Sequence, residues 1–288
     1  MAIQIPRACC QLLKRQAGIV GRQQALQAGM PPEAIRGLLR TGRWQRMRRG
    51  VYAAFTGEPC RAAVLWSVLL CVGPDAILSH RTAAELFGLT SDADGPVHVI
   101  VPRDTQPGRL PGVVIHRVDR ARAARHPSLL PPRTRIEETV LDLAASARSA
   151  EEAYGWIYRA TGQRLTTPGR LQHAMRQRSR MRWHSELASA LDDTGEGVRS
   201  NLERHYVRDV ERPHRLPKAA RQVRVTRHGR TYYLDNLYRA CLVGVELDGR
   251  AAHPPEERWR DFPPGQRRRG GRDRHPAVWL VRRHRLCL

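Results

Sequence analysis

The feature that most constrains this chain is a short segment in which apolar and acidic residues alternate. Its apolar and acidic members are Val243, Val245, Leu247, Glu246 and Asp248. On a β-strand this spacing places the apolar side chains on one face and both carboxylates on the other. Two like charges ~4 Å apart repel by roughly 4 kcal/mol at an effective dielectric of ~20. Because a divalent metal would remove this repulsion and act as a Lewis acid, the segment predicts a metal-binding strand.

Three further polar residues flank this strand in sequence, and each has a plainer interpretation. Glu203 lies three residues after Ser200, a spacing that also forms a capping box at the start of a helix. Asp235 follows an apolar pair and is equally compatible with a turn or surface acid. His253 precedes two prolines, as a loop histidine often does. The capping role of Glu203 and a catalytic role are compatible with each other.

Taken in order, these residues resemble the very-short-patch-repair (Vsr) endonuclease-like branch of the PD-(D/E)xK nucleases, over residues 200 to 261. The resemblance implies that a helix supplies Glu203 and that successive strands supply Asp235 and Glu246, which together hold Mg²⁺. Asp248 stands where the wider superfamily has lysine and is expected to assist. His253 is the residue expected to move the proton, since a neutral imidazole is a workable general base. The implied activity is Mg²⁺-dependent cleavage of DNA.

Residues 7 to 55 predict a winged helix-turn-helix. Three helices are expected, the second over residues 21 to 27 and the third beginning at Pro31-Pro32, because proline suits the first helical turn. Residues 43 to 52 predict a β-wing. The apolar faces of the first and third helices are expected to contain Cys9, Leu12, Leu13, Ile35, Leu38 and Leu39.

The third predicted helix and the wing are strongly basic. Six arginines and no acidic residue occur in this stretch: Arg36, Arg40, Arg43, Arg46, Arg48 and Arg49. A recognition helix in the major groove, with a wing on the phosphates, needs this distribution. A solvated basic face on a small helical domain is the alternative.

The series Leu-Leu-Arg-x-Gly-Arg-Trp and Arg-Arg-Gly-Val-Tyr within residues 38 to 52 resembles the N-terminal DNA-binding domain of AbiEi-type antitoxins. These antitoxins belong to type IV toxin–antitoxin systems, so the resemblance implies DNA and a cognate toxin protein as partners.

The middle of the chain predicts a small α/β module that resembles the segment after the winged helix in AbiEi-like proteins. Helices are expected at residues 62 to 72, 79 to 88 and 139 to 147, and strands at residues 97 to 102 and 112 to 116. Three histidines in this module, His80, His98 and His116, alternate with apolar residues and are interpreted as structural. The arginine-rich stretch at residues 176 to 182 predicts a solvated helix or linker.

After Phe262 the sequence loses periodicity. Residues 262 to 288 contain eight arginines and one acid, broken by prolines and glycines. This composition predicts an irregular basic tail that does not continue the sheet, except for a short strand at residues 277 to 281. A change of reading frame after Phe262 is an alternative hypothesis, because a back-translation shifted by one nucleotide resembles the usual ending of Vsr-like domains.

The net charge of +23 favours an anionic partner, most simply nucleic acid. All but two of the 50 basic residues are arginine, a bias that a GC-rich genome also produces. The cysteines lack the Cys-x-x-Cys spacing of a zinc site. With no secretory signal or spanning segment, we expect a bacterial cytoplasmic protein with reduced thiols and no membrane partner.

We therefore predict an α+β multidomain protein with a winged helix-turn-helix, a small α/β middle module and an incomplete restriction-endonuclease-like sheet. The domains are expected at residues 1–57, 58–185 (including a helical linker), 186–262 and 263–288, the last being the tail. The first functional hypothesis is a DNA-binding protein whose C-terminal domain derives from a Mg²⁺-dependent endonuclease, whether or not that domain is active. The second is a non-enzymatic, antitoxin-like transcriptional regulator.

Overall fold

The computed structural model describes residues 4–91, 94–178, 180–195, 198, 200–227, 230–241, 243–245, 247 and 281–283. The chain forms two compact units. The first runs through Ala147 and also includes Ala174–Arg182, whereas the second contains Arg148–His173 and resumes at Trp183. The first unit therefore contains both the segment predicted as a winged helix and the middle module.

The N-terminal part of the first unit has the elements of a winged helix. They are α1 (Arg7–Arg15), β1 (Ile19–Gly21), α2 (Arg22–Gln27), α3 (Pro32–Arg40), β2 (Gln45–Arg48) and β3 (Val51–Ala53). The three strands form an antiparallel sheet in the order β1-β3-β2. Pro32 occupies the first turn of α3, as predicted. The predicted helices and wing are confirmed at the level of secondary structure.

Helical spacing in α1 and α3 explains how these two helices pack. Cys9 and Leu13 are four residues apart and buried, as are Ile35 and Leu38 three residues apart. All four belong to one apolar cluster, which Trp44 also joins. The predicted core residues Leu12 and Leu39 are only half-buried, so they lie at the edge of this core.

The middle module follows in the same unit. Its elements are α4 (Arg61–Val72), β4 (Ile77–Leu78), α5 (His80–Leu86), β5 (Val97–Val101), β6 (Val113–Arg117), α6 (Ala121–Ala124) and α7 (Ile136–Ser146). The strand order is β4-β5-β6, with β4 antiparallel and β6 parallel to β5. The predicted helices and strands are present, although α7 begins three residues before the predicted start at Thr139. A two-residue strand such as β4 leaves no periodic signal, and sequence analysis missed it.

One apolar cluster joins the winged helix to the middle module. It contains Ile19 and Val51 from β1 and β3, Leu65 from α4, and Val97 and Val99 from β5. Helix α4 is buried around much of its circumference, which agrees with its nearly uninterrupted apolar sequence. The winged helix therefore has one apolar cluster of its own and contributes to a second cluster that it shares with α4 and β5.

The arginine-rich stretch at residues 176 to 182 is not simply solvated, which corrects the sequence interpretation. The Arg178 side chain is 6% exposed and donates to Glu138 at 2.6 Å and to Asp142 at 2.9 Å. Arg120 pairs with the same two carboxylates from another direction. Burial raises the pKa of Asp142, while the charges of Arg178 and Arg120 oppose that rise. The buried acids on α7 thus attach this segment to the first unit.

The second unit combines helices with a four-stranded sheet. Its elements are α8 (Ala150–Gly162), most of α9 (Pro168–Arg176), α10 (His184–Gly195), α11 (Asn201–Tyr206), a π-helical turn (Val207–Glu211), β7 (Ala220–Arg227), β8 (Arg230–Tyr238), β9 (Val243–Val245) and β10 (Val281–Arg283). The strands run antiparallel in the order β10-β9-β8-β7.

Strand β9 lies within the segment of alternating apolar and acidic residues. Its apolar side chains pack into a buried cluster, as the sequence predicts. Val245 is buried in a cluster with Tyr206 of α11 and Tyr238 of β8, and Val243 and Leu247 pack against the same cluster. Period-two spacing was therefore sufficient to identify the buried face of this strand.

The described part of the tail, residues 281–283, differs from its prediction, and residues 262–280 and 284–288 lie outside the described residues. Residues 281–283 form β10, which pairs with β9 through Val281 opposite Val245 and Arg283 opposite Val243. The expected strand lay at residues 277 to 281, and no regular continuation of the sheet was expected. An unpaired strand edge offers backbone N–H and C=O groups to any extended segment, whatever its side chains, so an arginine-rich segment can still add a strand.

Two features expected from composition concern membrane-spanning helices and the state of the cysteines. No helix in the described part of the chain is both long and apolar enough to cross a membrane. Cys9, Cys10, Cys60, Cys71 and Cys241 are free thiols, as expected from their spacing.

We predict that Arg178→Met destabilises the folded protein by about 3 kcal/mol, because the substitution leaves buried carboxylates with one partner fewer. The free energy of unfolding measured in urea tests this. Arg176→Met is the matched control, since Arg176 lies on the same segment and is exposed. Equal effects of the two substitutions would show that the ion pairs do not hold this segment.

Candidate functional site

Helix α3 presents the first half of a candidate nucleic-acid interface. Arg36 and Arg40 are both exposed and lie four residues apart, so they share one face of the helix. Ile35 and Leu38 are fully buried against the core. The helix is therefore fixed by its apolar face while its basic face is open to solvent, which is the arrangement a recognition helix requires.

Arg36 has an intramolecular partner that the sequence pattern did not indicate. Its guanidinium lies 2.7 Å from the Glu33 carboxylate one turn earlier, and both side chains are about 70% exposed. The pKa of Glu33 is lowered, first by a backbone hydrogen bond and then by the hydrogen bond from Arg36. An ion pair this exposed contributes little to stability, so a phosphate can replace the carboxylate at small cost.

The wing supplies the second half of the interface, with one correction. Arg43, Arg46 and Arg49 are exposed, whereas Arg48 is half-buried and its Nε donates to Ser67 Oγ at 3.3 Å. A bulge between Arg46 and Arg48 shifts the register of β2 against β3. Because a bulge breaks the two-residue alternation, these two arginines no longer have equivalent surroundings. The exposed set is Arg36, Arg40, Arg43, Arg46 and Arg49.

The predicted nuclease residue Glu203 lies on α11 and is 6% exposed. Ser200 is the N-cap of this helix, and its hydroxyl accepts a hydrogen bond from the Glu203 backbone N–H at 3.1 Å. The same hydroxyl is 3.1 Å from Glu203 Oε1, to which it donates. The capping interpretation of Ser200 is thus confirmed, and a metal-binding role for Glu203 stays a prediction.

The predicted nuclease residue Asp235 lies on β8, and hydrogen bonds occupy both of its carboxylate oxygens. Gln222 Nε2 donates to Oδ1 at 2.9 Å, and the backbone N–H of Leu247 donates to Oδ2 at 2.7 Å. These bonds connect β8 to β7 on one side and to Leu247, the second residue after β9, on the other. Asp235 therefore has a structural role in the sheet whether or not it binds a metal.

The remaining members of the predicted site, Glu246, Asp248 and His253, lie outside the described residues. Of the described carboxylates, Glu203 accepts a hydrogen bond from the Ser200 hydroxyl, and both Asp235 oxygens accept hydrogen bonds within the sheet. A role for either carboxylate in binding Mg²⁺ stays a prediction.

Sequence analysis missed a buried acid beside the sheet of the second unit. Glu211, at the end of the π-helical turn, is 2.8 Å from the guanidinium of Arg221 on β7, and both side chains are less than 10% exposed. Tyr238 OH donates to the same carboxylate at 3.2 Å, while Tyr206 OH lies 3.0 Å from Tyr238 OH. Burial, followed by the hydrogen bond with Tyr206, raises the pKa of Tyr238. The ion pair with Arg221 accounts for the burial of the Glu211 carboxylate, so no bound ligand is needed to explain it.

A second set lies in the first unit, and sequence analysis interpreted its three histidines as structural without predicting that they meet. His80, His98 and His116 each offer a ring nitrogen, and these three atoms lie within 4.8 Å of one another. The rings of His80 and His116 are stacked with centroids 3.8 Å apart, and His98 Nδ1 is 3.1 Å from His116 Nε2. Among the described residues, this is the group whose side chains could hold a metal.

The three imidazoles are neutral at neutral pH. Burial, together with the charges of His116, His98 and nearby arginines, lowers the pKa of His80 to about 2. Burial also lowers the pKa of His116 to about 4 and lowers that of His98. The sequence carried no motif for this group, because each histidine comes from a different element and the pairing of β4 with β5 was not predicted.

Comparison with known proteins finds a family match for one segment of the chain. Residues 11–54 match the family model described as "Transcriptional regulator, AbiEi antitoxin", so this segment carries a domain of that family. The match extends from α1 to the residue after β3 and contains all six arginines of the predicted interface. No curated protein matches the chain.

We predict that Ser200→Ala lowers the free energy of unfolding by about 1 kcal/mol, because the first turn of α11 loses its cap. Ser185→Ala is the control. The Ser185 hydroxyl is exposed and donates to the Glu186 side chain. Urea denaturation of both variants tests the prediction, and an unchanged Ser200→Ala protein would contradict the capping role.

Proposed function

We propose that this chain is a DNA-binding transcriptional regulator of the antitoxin type, which contacts DNA through α3 and the β2–β3 wing. The observation that carries the proposal is that the family match and the exposed arginines coincide in the same winged helix. An arginine-rich composition can by itself produce a basic surface, and the winged-helix fold does not by itself require basic residues on its surface.

The distribution of charge supports this proposal more than the net charge does. Arginine enrichment through base composition would scatter the residues over the surface. In the winged helix, however, the residues from Arg36 to Arg49 include six arginines and no acid. Five of these side chains are exposed, and phosphate contacts from such residues position a recognition helix on the duplex.

The AbiEi family match also supports a protein partner. Since the family is described as that of an antitoxin, we propose a cognate toxin as the second partner of this chain.

We predict that a double Arg40→Gln, Arg46→Gln variant binds duplex DNA more weakly and with a flatter salt dependence. Each lost phosphate contact reduces the slope of log K against log salt by about 1. Fluorescence anisotropy with a labelled random duplex, measured from low to physiological salt, gives this slope.

The control carries the same charge change elsewhere in the first unit. Arg122 and Arg176 are both exposed, so Arg122→Gln combined with Arg176→Gln should leave the slope close to that of the wild type. An unchanged slope in the Arg40, Arg46 variant would exclude the proposed interface.

A second proposal concerns residues 186–262. We propose that their resemblance to Mg²⁺-dependent endonucleases is one of fold and that the chain does not cleave DNA. Two observations support this. Glu203 Oε1 accepts a hydrogen bond from the Ser200 hydroxyl, and both Asp235 oxygens accept hydrogen bonds within the sheet.

We predict that purified full-length protein shows no Mg²⁺-dependent cleavage of plasmid or linear DNA above background. Parallel assays of Asp235→Asn and of Asp209→Asn, which changes an exposed acid of the same unit, provide the comparison. Cleavage by the wild type and by Asp209→Asn that disappears in Asp235→Asn would restore the nuclease hypothesis.

A further inference from the structure

We infer that His80, His98 and His116 form a binding site for a divalent transition-metal ion of the Zn²⁺ class. One ring nitrogen from each residue lies within 4.8 Å of the others, and all three side chains are half-buried. This site lies in the middle module and is distinct from the arginines proposed to contact DNA.

The sheet backbone brings the three histidines together. His98 lies on β5 and His116 on the neighbouring β6, where the register places His116 opposite Ile100. His80 follows β4 on the other side of β5, and the Ser79 N–H donates to the carbonyl of His98 at 3.0 Å. Sites built on strands hold their geometry better than sites built on loops.

The backbone of His80 adds a second, independent observation. His80 has a φ of +48°, a left-handed conformation that a residue with a Cβ adopts only at a cost. Its neighbour Ser79 is fully buried, so the surrounding structure holds this conformation. The His80 ring stacks on the His116 ring, so a shared ion requires the His80 ring to rotate out of this stack until its lone pair points at the ion.

The distance between one pair of ring nitrogens is close to the one that a metal would impose, and the whole set lies within 4.8 Å. Ligands at ~2.0–2.1 Å from a tetrahedral ion are separated by roughly 3.3–3.4 Å. His98 Nδ1 and His116 Nε2 are 3.1 Å apart, so this pair needs only a small adjustment. His80 Nδ1 is 3.0 Å from Ser79 Oγ. A hydrogen on Nδ1 donated to that hydroxyl leaves Nε2 of His80 as the ligand atom, which is the usual outer-shell arrangement.

The chemistry of the donor set selects the class of metal. Three imidazole nitrogens suit Zn²⁺, Cu²⁺, Ni²⁺ or Co²⁺, whereas Mg²⁺ and Ca²⁺ require oxygen ligands. The nearby cations Arg120 and Arg178 are paired with Glu138 and Asp142, so their charge is compensated. A three-histidine set leaves a fourth position for water or a small anion.

The test measures metal binding by the full-length protein. Chelator-treated protein is titrated with Zn²⁺ and with Co²⁺, and bound metal is measured by elemental analysis after gel filtration. We expect one equivalent of metal, with a Co²⁺ absorption spectrum typical of four-coordinate nitrogen ligation and a raised thermal unfolding midpoint. Absence of stoichiometric binding would overturn the inference and leave three stacked, neutral histidines with a packing role.

Variants locate the site. Loss of an outer-shell partner weakens metal binding by roughly 10–100-fold, and Ser79→Ala should weaken Co²⁺ binding by a factor in this range. His98→Gln and His116→Gln should each weaken Co²⁺ binding by a larger factor. His173→Gln and His184→Gln change exposed histidines of the chain and should leave the affinity unaltered. Wild-type affinity in both His98→Gln and His116→Gln would place the bound metal elsewhere and reject this site.

The variants must be distinguished from misfolded protein. Circular dichroism and thermal unfolding in the presence of chelator establish whether each glutamine variant keeps the wild-type fold. If the variants do not fold, the wild-type protein still tests the inference. An X-ray absorption spectrum of its Co²⁺ complex counts the imidazole ligands of the bound metal. Fewer than three imidazoles would contradict the inference.

Discussion

Burial of α4 is the constraint on which the first unit depends. This helix is apolar on nearly every side, so it is stable in water only if other elements cover it. Ile19 and Val51 of the winged helix cover one part, and Val97 and Val99 of β5 cover another. The winged helix is therefore part of a larger hydrophobic core. Substitutions that disrupt the packing of the middle module should also affect the orientation of α3 and the wing.

Both units contain a buried acid that is paired with an arginine. Asp142 pairs with Arg178 in the first unit, and Glu211 pairs with Arg221 in the second. An unpaired buried charge costs several kcal/mol, so such pairs are required once the acids are inside. Acidic residues in this chain are consequently poor indicators of chemistry. Neutral histidines, which need no counterion, give a clearer indication of a ligand.

The two proposed functions use surfaces of different character. The arginines of α3 and the wing are exposed and depend on long-range electrostatics, which suits a phosphate backbone. The cluster of His80, His98 and His116 is half-buried and depends on short, directed contacts, which suit a metal ion. The two surfaces lie in the same unit and use unrelated physical interactions.

The sequence alone determined the winged helix, the buried helix α4 and the apolar face of β9, because each leaves a local periodic pattern. It also placed six arginines in one segment. Only the tertiary structure decided that Arg48 turns to Ser67, that Arg178 is buried and that β10 pairs with β9. It also brought the three histidines together. These outcomes depend on contacts between residues far apart in the chain, which no local pattern encodes.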